Sequence, residues 1–96
     1  MITHSVFLKL KYAKHSQEET RFLKAARDLQ DIPGVQNFKV LQQTSPKNQF
    51  DYGLSMEFEN QSEYDAYSIH ADHERFIQEF WIPDVVDFLE IDYQEL

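Results

Sequence analysis

Hydrophobic and polar positions alternate from the start of the chain. Ile2, His4, Val6, Leu8, Leu10 and Tyr12 fall on one face, and Thr3, Ser5, Phe7, Lys9 and Lys11 on the other. A period of two over this length predicts a strand. Phe7, on the mostly polar side, predicts that this face is partly covered too. The period then changes. Phe22, Ala25, Ala26 and Leu29 follow the i, i+3, i+4, i+7 stripe of an amphipathic helix over 17–29. Ser16 is its expected N-cap, with Glu19 as capping-box partner. Ile32-Pro33-Gly34 turns the chain. Residues 35–43 read as a second strand with Phe38 and Val40 on one face, and 44–50 as a polar loop. In 52–58, Leu54, Met56 and Phe58 share one face of a third strand. Ser62, with Asp65 in the capping-box place, is expected to open a helix whose inner side carries Tyr64, Tyr67 and Ala71. A second helical piece, 73–80, turns Phe76, Ile77 and Phe80 inward and stops at Pro83. The last strand is 85–93, with Leu89, Ile91 and Tyr93 on one face.

The order is β-α-β-β-α-β with the second helix broken. This is the split βαβ, ferredoxin-like order of an α+β protein, with one four-stranded antiparallel sheet and helices on one face. The other face stays open, and Phe7, Leu41 and Phe88 are expected there. Apolar residues on an otherwise wet face imply a partner. Two copies packed sheet to sheet would bury them, so the expected partner is a second copy of the chain, in a dimeric α/β barrel.

Composition narrows the function classes. The chain has 96 residues, so one domain over 1–96 is expected. It has no cysteine, which excludes a disulfide scaffold, a thiol redox centre or a Cys-rich zinc site. At 42% hydrophobic and 15% aromatic residues it has the means for a core. Lys and Arg number 9 against 17 Asp and Glu, a net charge of −8. That balance argues against nucleic acid and against anionic membranes as partners. No apolar run approaches the ~20 residues of a membrane helix. The start, Met1-Ile2-Thr3-His4-Ser5, lacks the pattern of a signal peptide, and a cytoplasmic protein is expected.

The histidines are His4, His15, His70 and His73. His15 lies beside Lys14 in a loop and is expected in solvent. Tyr67, His70 and His73 recur every third residue, and side chains at i and i+3 are helix neighbours. Tyr67 and His73 can therefore approach each other, with His4 rising from the sheet below. Imidazole titrates near neutrality and suits an acid or base. A phenol can hold a carbonyl oxygen. Together they suit proton abstraction beside a carbonyl, or an aldol-type closure, on a small ligand. The plainer alternative is a buried His–Tyr pair that only satisfies two polar groups. A metal held by His70 and His73 with Asp72, Glu74 or His4 is a further alternative. Zinc sites, however, present three or four ligands at recognisable spacing, so no metal is expected. No GxSxG, GxGxxG or GxxxxGK[ST] motif occurs, and no cofactor is expected. The candidate site is thus His73, Tyr67 and His4 as catalytic groups, with His70 and Phe76 as ligand contacts. Asp84, Asp87, Glu90, Asp92 and Glu95 read as a solvated edge. Trp81 reads as a lid over the core, and Tyr12, Tyr52 and Tyr93 as half-buried residues with wet hydroxyls.

Several segments together resemble the stress-responsive A/B barrel (Dabb) family. They are His4 followed by Val6-Phe7-Leu8-Lys9-Leu10, then Ile32-Pro33-Gly34-Val35, Ser45-Pro46, Asp51-Tyr52-Gly53, Tyr67-Ser68-Ile69-His70-Ala71-Asp72-His73 with Phe76, and Val85-Val86-Asp87-Phe88. The resemblance implies a ferredoxin-like monomer and a homodimeric barrel. Some plant members are polyketide cyclases or hydroxynitrile lyases. In the cyclases a His of the HxxH motif and the Tyr six residues before it form the acid/base pair. The resemblance places those roles on His73 and Tyr67, and the N-terminal pocket histidine on His4. Two departures stand out. The plant motif has Pro where this chain has Ala71, and a pocket Tyr on the cyclases' first helix would fall at Ala25-Ala26.

Overall fold

The alternating first segment forms β1 (Ile2–Leu10), which lies inside the sheet. In the computed structural model, which describes residues 1–96, β1 is followed by α1 (Gln17–Arg27), β2 (Gln36–Gln42), β3 (Tyr52–Phe58), α2 (Gln61–Ser68), α3 (Ala71–Phe76) and β4 (Val85–Tyr93). The strand order is β2-β3-β1-β4 and every pairing is antiparallel. This is the α+β ferredoxin-like arrangement expected from the element order.

The helices cover one face. Val6, Leu8 and Leu10 of β1 and Leu54, Met56 and Phe58 of β3 meet Phe22, Ala26 and Leu29 from the first helical segment and Tyr64, Tyr67 and Phe76 from the second. Phe22, Phe58 and Leu8 are wholly buried, and each such side chain contributes about 1.5–3 kcal/mol of transfer free energy. Ser16 caps α1 as expected, accepting the Glu19 N–H at 3.2 Å. The stripe's last member, Leu29, belongs to a 3-10 turn, Asp28–Asp31, that tightens the helix end.

The second helix differs from expectation at both ends. Its cap is Asn60, whose side chain accepts the Glu63 N–H at 3.0 Å, and not Ser62. Asn60 is fully extended and lets the chain turn earlier. After α3 the backbone widens into a π turn, Ile77–Trp81, where the Ile82 N–H reaches back to the Ile77 carbonyl. The next residue is Pro83, which has no N–H to continue an α ladder.

Register corrects the reading of the last strand. Leu8 pairs with Phe88, and Phe7 with Leu89. Phe88 therefore lies on the helix side of the sheet and not on the open face. Leu89, Ile91 and Tyr93 join Phe7 and Leu41 on the open face. Alternation within a strand gives two faces but does not say which is which; the partner's register does. On the open face the Phe7 ring lies over Gly53. A Cβ added there would meet the Phe7 ring at 2.5 Å, so any side chain at this position would displace that ring.

The expected solvated acidic edge is also corrected. Asp84 is buried and accepts the Tyr12 hydroxyl at 2.9 Å. Asp92 stays partly exposed, but its carboxylate is tied to His4 and Tyr64, as described below. The Tyr52 hydroxyl is not wet; it donates to the buried Glu19 at 2.7 Å. Tyr93 alone of the three expected wet phenols is largely exposed.

Candidate functional site

His4 is placed by strand alternation on the helix-covered face, opposite Asp92 of β4. It is 6% exposed. Its Nδ1 is 2.6 Å from Asp92 Oδ1 and 2.8 Å from the Tyr64 hydroxyl. Tyr64 donates its proton to Asp92 Oδ2 at 2.8 Å. Both Asp92 oxygens are thus acceptors, which assigns the ring proton to Nδ1 and leaves Nε2 as the basic nitrogen. Tyr64 also stacks on Phe58, with ring centroids 5.0 Å apart. Burial and the Asp92 carboxylate push its hydroxyl pKa well above the usual phenol range.

Tyr67 lies one turn along α2, on the same side of the helix. Its ring centroid is 4.6 Å from that of His73 on α3 and 6.3 Å from that of His4. The His73 Nδ1–H donates to the Ser68 carbonyl at 3.1 Å, so here too Nε2 is the basic nitrogen. Burial lowers the His73 pKa, and nearby His4 lowers it further. The Ser68 carbonyl, Glu90 and Glu74 oppose the shift. His73 is therefore neutral at pH 7. Tyr67 has a raised pKa, first from burial and then from Glu90.

These groups line a cavity of about 240 Å³ between sheet and helices. Its polar lining is His4, Tyr67, His73 and Glu90; the rest is apolar and includes Phe76, Trp81 and Phe88. Every side-chain polar atom fully shut off from solvent has a hydrogen-bond partner. The Tyr67 hydroxyl has none although the residue is only 3% exposed, so it is reached from the cavity. Trp81 and Phe88 meet edge to face, with centroids 5.4 Å apart, and close one side. The widened turn after α3 presents Ile77 and Trp81 together to this cavity.

The structure brings His73, Tyr67, His4 and Phe76 to one cavity. It does not bring His70 there. His70 instead caps α3, its Nδ1 accepting the Asp72 N–H at 3.0 Å. Sequence reasoning missed Tyr64, Asp92 and Glu90. The i−3 spacing of Tyr64 to Tyr67 was a usable signal, whereas the two acids were hidden among other acids until register placed them. The ligand atoms of His4, Glu90 and Asp92 lie within 4.8 Å of one another, but His4 and Asp92 are already bonded to each other and to Tyr64. A larger groove, about 350 Å³, opens between the first helical segment and α3. Its polar lining is Asp28, Asp31, Asp72, Arg75 and Glu79, and it holds no histidine.

Comparison with known proteins decides the family. The model of the stress responsive A/B barrel domain (Dabb) matches residues 2–95. The chain belongs to the Dabb family. A Dabb protein with a ferredoxin-like fold from Mesorhizobium loti is 48% identical, with a TM-score of 0.96 over 99% of this chain and 96% of that one. A hydroxynitrile lyase from Passiflora edulis superposes with a TM-score of 0.82 at 19% identity, covering 96% of this chain and 90% of that one. A dimeric ferredoxin-like protein of unknown function from Thermobifida fusca gives 0.81 at 16% identity, covering 98% and 90%. At such identities the fold is shared with these two proteins and nothing more. No curated protein matches the chain. No helix is long and apolar enough to cross a membrane.

Proposed function

We propose that this Dabb protein transfers a proton beside the carbonyl group of a small, partly aromatic compound, in cyclase- or lyase-like chemistry. His73 Nε2 takes a proton from the carbon next to the carbonyl. The C–H electron pair becomes the new C=C bond, and the carbonyl π pair moves to oxygen. The Tyr67 hydroxyl donates a hydrogen bond to that oxygen as its charge grows. The carbonyl then re-forms from the enolate, and either the carbon takes the proton back from His73 or the enolate pair breaks the bond to a group on the β carbon, which takes the proton as it leaves. His4, oriented by Asp92 and Tyr64, is a second basic group on the cavity wall. The observation that carries the reading is the Tyr67 hydroxyl, which is deeply placed, lacks a partner and lies beside a neutral imidazole. A cluster that only satisfied itself would not leave this donor free.

The test is deuterium exchange at the carbon beside the carbonyl of small aryl ketones, followed by NMR in D2O. His73→Ala should lower the rate about 100-fold or more, the usual scale of a positioned base. Tyr67→Phe should lower it less. Unchanged exchange in folded His73→Ala protein would refute the reading. A protein that binds the ketones without exchanging them would be a ligand-binding module instead.

The same proposal takes the chain to be a homodimer joined through the open sheet face. Leu89, Ile91 and Tyr93 are each about half exposed there, beside Phe7 and Leu41. In analytical ultracentrifugation the wild type should sediment as a dimer and Leu89→Glu as a monomer.

A further inference from the structure

The proposed cavity has a sign as well as a shape. Its one formally charged lining residue at neutral pH is Glu90, and no Lys or Arg lines it. A second carboxylate, Asp92, stands behind His4. Lys9 and Lys14 pair with Asp51, and Arg75 pairs with Asp72. Burial lowers the His73 pKa and so favours its uncharged form. An anionic ligand entering here would lose part of its hydration, find no counter-charge and meet the Glu90 carboxylate at the cavity margin. An uncharged aromatic ligand meets the rings of Tyr67, Phe76, Trp81 and Phe88. The volume of about 240 Å³ exceeds the roughly 150 Å³ cavity that accepts benzene, so one ring with a few substituent atoms fits.

We infer that this cavity selects uncharged aromatic carbonyl compounds against aromatic carboxylates, and that Glu90 on β4 is the residue that enforces the choice. The inference rests on the reading of this cavity as the ligand site. Glu90 sits opposite Val6 on the helix side of the sheet and is itself exposed. It lies at the solvent margin of the cavity, where a carboxylate turns away like charges without being buried. Since the chain carries −8 overall, no distant surplus of positive charge offsets it.

The experiment compares two ligands of nearly the same shape, benzamide and benzoate, at pH 7.5 by ligand-observed NMR titration. Wild type should bind benzamide about tenfold more tightly than benzoate, and Glu90→Gln should narrow that ratio to about threefold. Exposure of Glu90 makes loss of fold in the variant unexpected, and a melting curve checks it. Equal binding of the two ligands to wild type would overturn the inference. So would an unchanged ratio in Glu90→Gln, or no binding of either ligand at about 10 mM, weaker than any useful affinity. Failure of the proton-transfer reading looks different. Benzamide would still be preferred, but aryl ketones would bind without exchanging their protons.

Discussion

The two ends of β1 bury the same kinds of groups to opposite effect. Near its C-terminal end, Glu19 is 5% exposed and accepts the Tyr52 hydroxyl and the His15 N–H. Asp84, also 5% exposed, accepts the Tyr12 hydroxyl. Each phenol there has a carboxylate and each carboxylate has a donor. Near the N-terminal end, Asp92, His4 and Tyr64 form a similar closed set. One helical turn on from Tyr64, however, Tyr67 has no partner, and His73 keeps a free basic nitrogen. A satisfied buried pair fastens the fold; an unsatisfied donor beside a base is what a ligand can use. Burial alone does not separate the two roles, since Tyr67 is more buried than Tyr64. The count of partners does.

Thermal unfolding at one fixed protein concentration can break this contrast, because oligomer stability depends on concentration. The largest effect is expected at the closed end. Glu19→Ala removes the acceptor of both Tyr52 and the His15 N–H and should cost about 2–3 kcal/mol. That corresponds to a fall in Tm of roughly 10 °C or more for a domain of this size. Tyr64→Phe should cost about 1 kcal/mol, because His4 and Asp92 keep each other. Tyr67→Phe removes a hydroxyl with no partner and should stay within about 0.5 kcal/mol of wild type, while lowering exchange activity. If Tyr67→Phe destabilised as much as Tyr64→Phe, the distinction between the two tyrosines would collapse.

The smallest expected effect is a pH dependence. The His73 pKa is lowered in the folded chain. Below the ordinary value of about 6.5 the unfolded chain takes up a proton that the folded chain resists, so stability falls as pH drops through that range. His73→Gln should flatten the slope of Tm against pH below about 6.5 and leave it unchanged near pH 8. Tyr52 works in the opposite range. Its pKa is pushed up to about 12 by burial and by Glu19, so the closed end loses stability from about pH 10 upward. Tyr52→Phe should remove part of that alkaline loss.

Much of the fold was legible because it rests on periodicity. The alternation of Ile2 to Leu10, the Phe22-Ala26-Leu29 stripe and the Leu54-Met56-Phe58 face are local patterns, and each recurs in the observed elements. His4, Tyr67 and His73 could be named as candidates because strand parity and helical spacing set them facing one space. The errors arose where a contact between distant segments decides. Phe88 changed faces because its parity follows from Leu8, not from its own neighbours. Asp84 and Asp92 looked like unpartnered solvent-facing acids, yet an acid's partners come from strands and helices far along the chain. His70 keeps the spacing of its motif but ends as a helix cap, since a break between α2 and α3 rotates it away.

The sequence by itself determined the element order, the ferredoxin-like topology and the residue types that meet beneath α2 and α3. Those follow from the order of apolar and polar positions, which each segment carries alone. Only the tertiary structure decided which buried polar groups are satisfied. It tied Tyr64 to Asp92 and His4, left the Tyr67 hydroxyl open to the cavity, and placed Glu90 at its margin. A hydrogen bond needs both partners within about 3 Å, and for groups as far apart in sequence as His4 and Asp92 only the folded register brings them there.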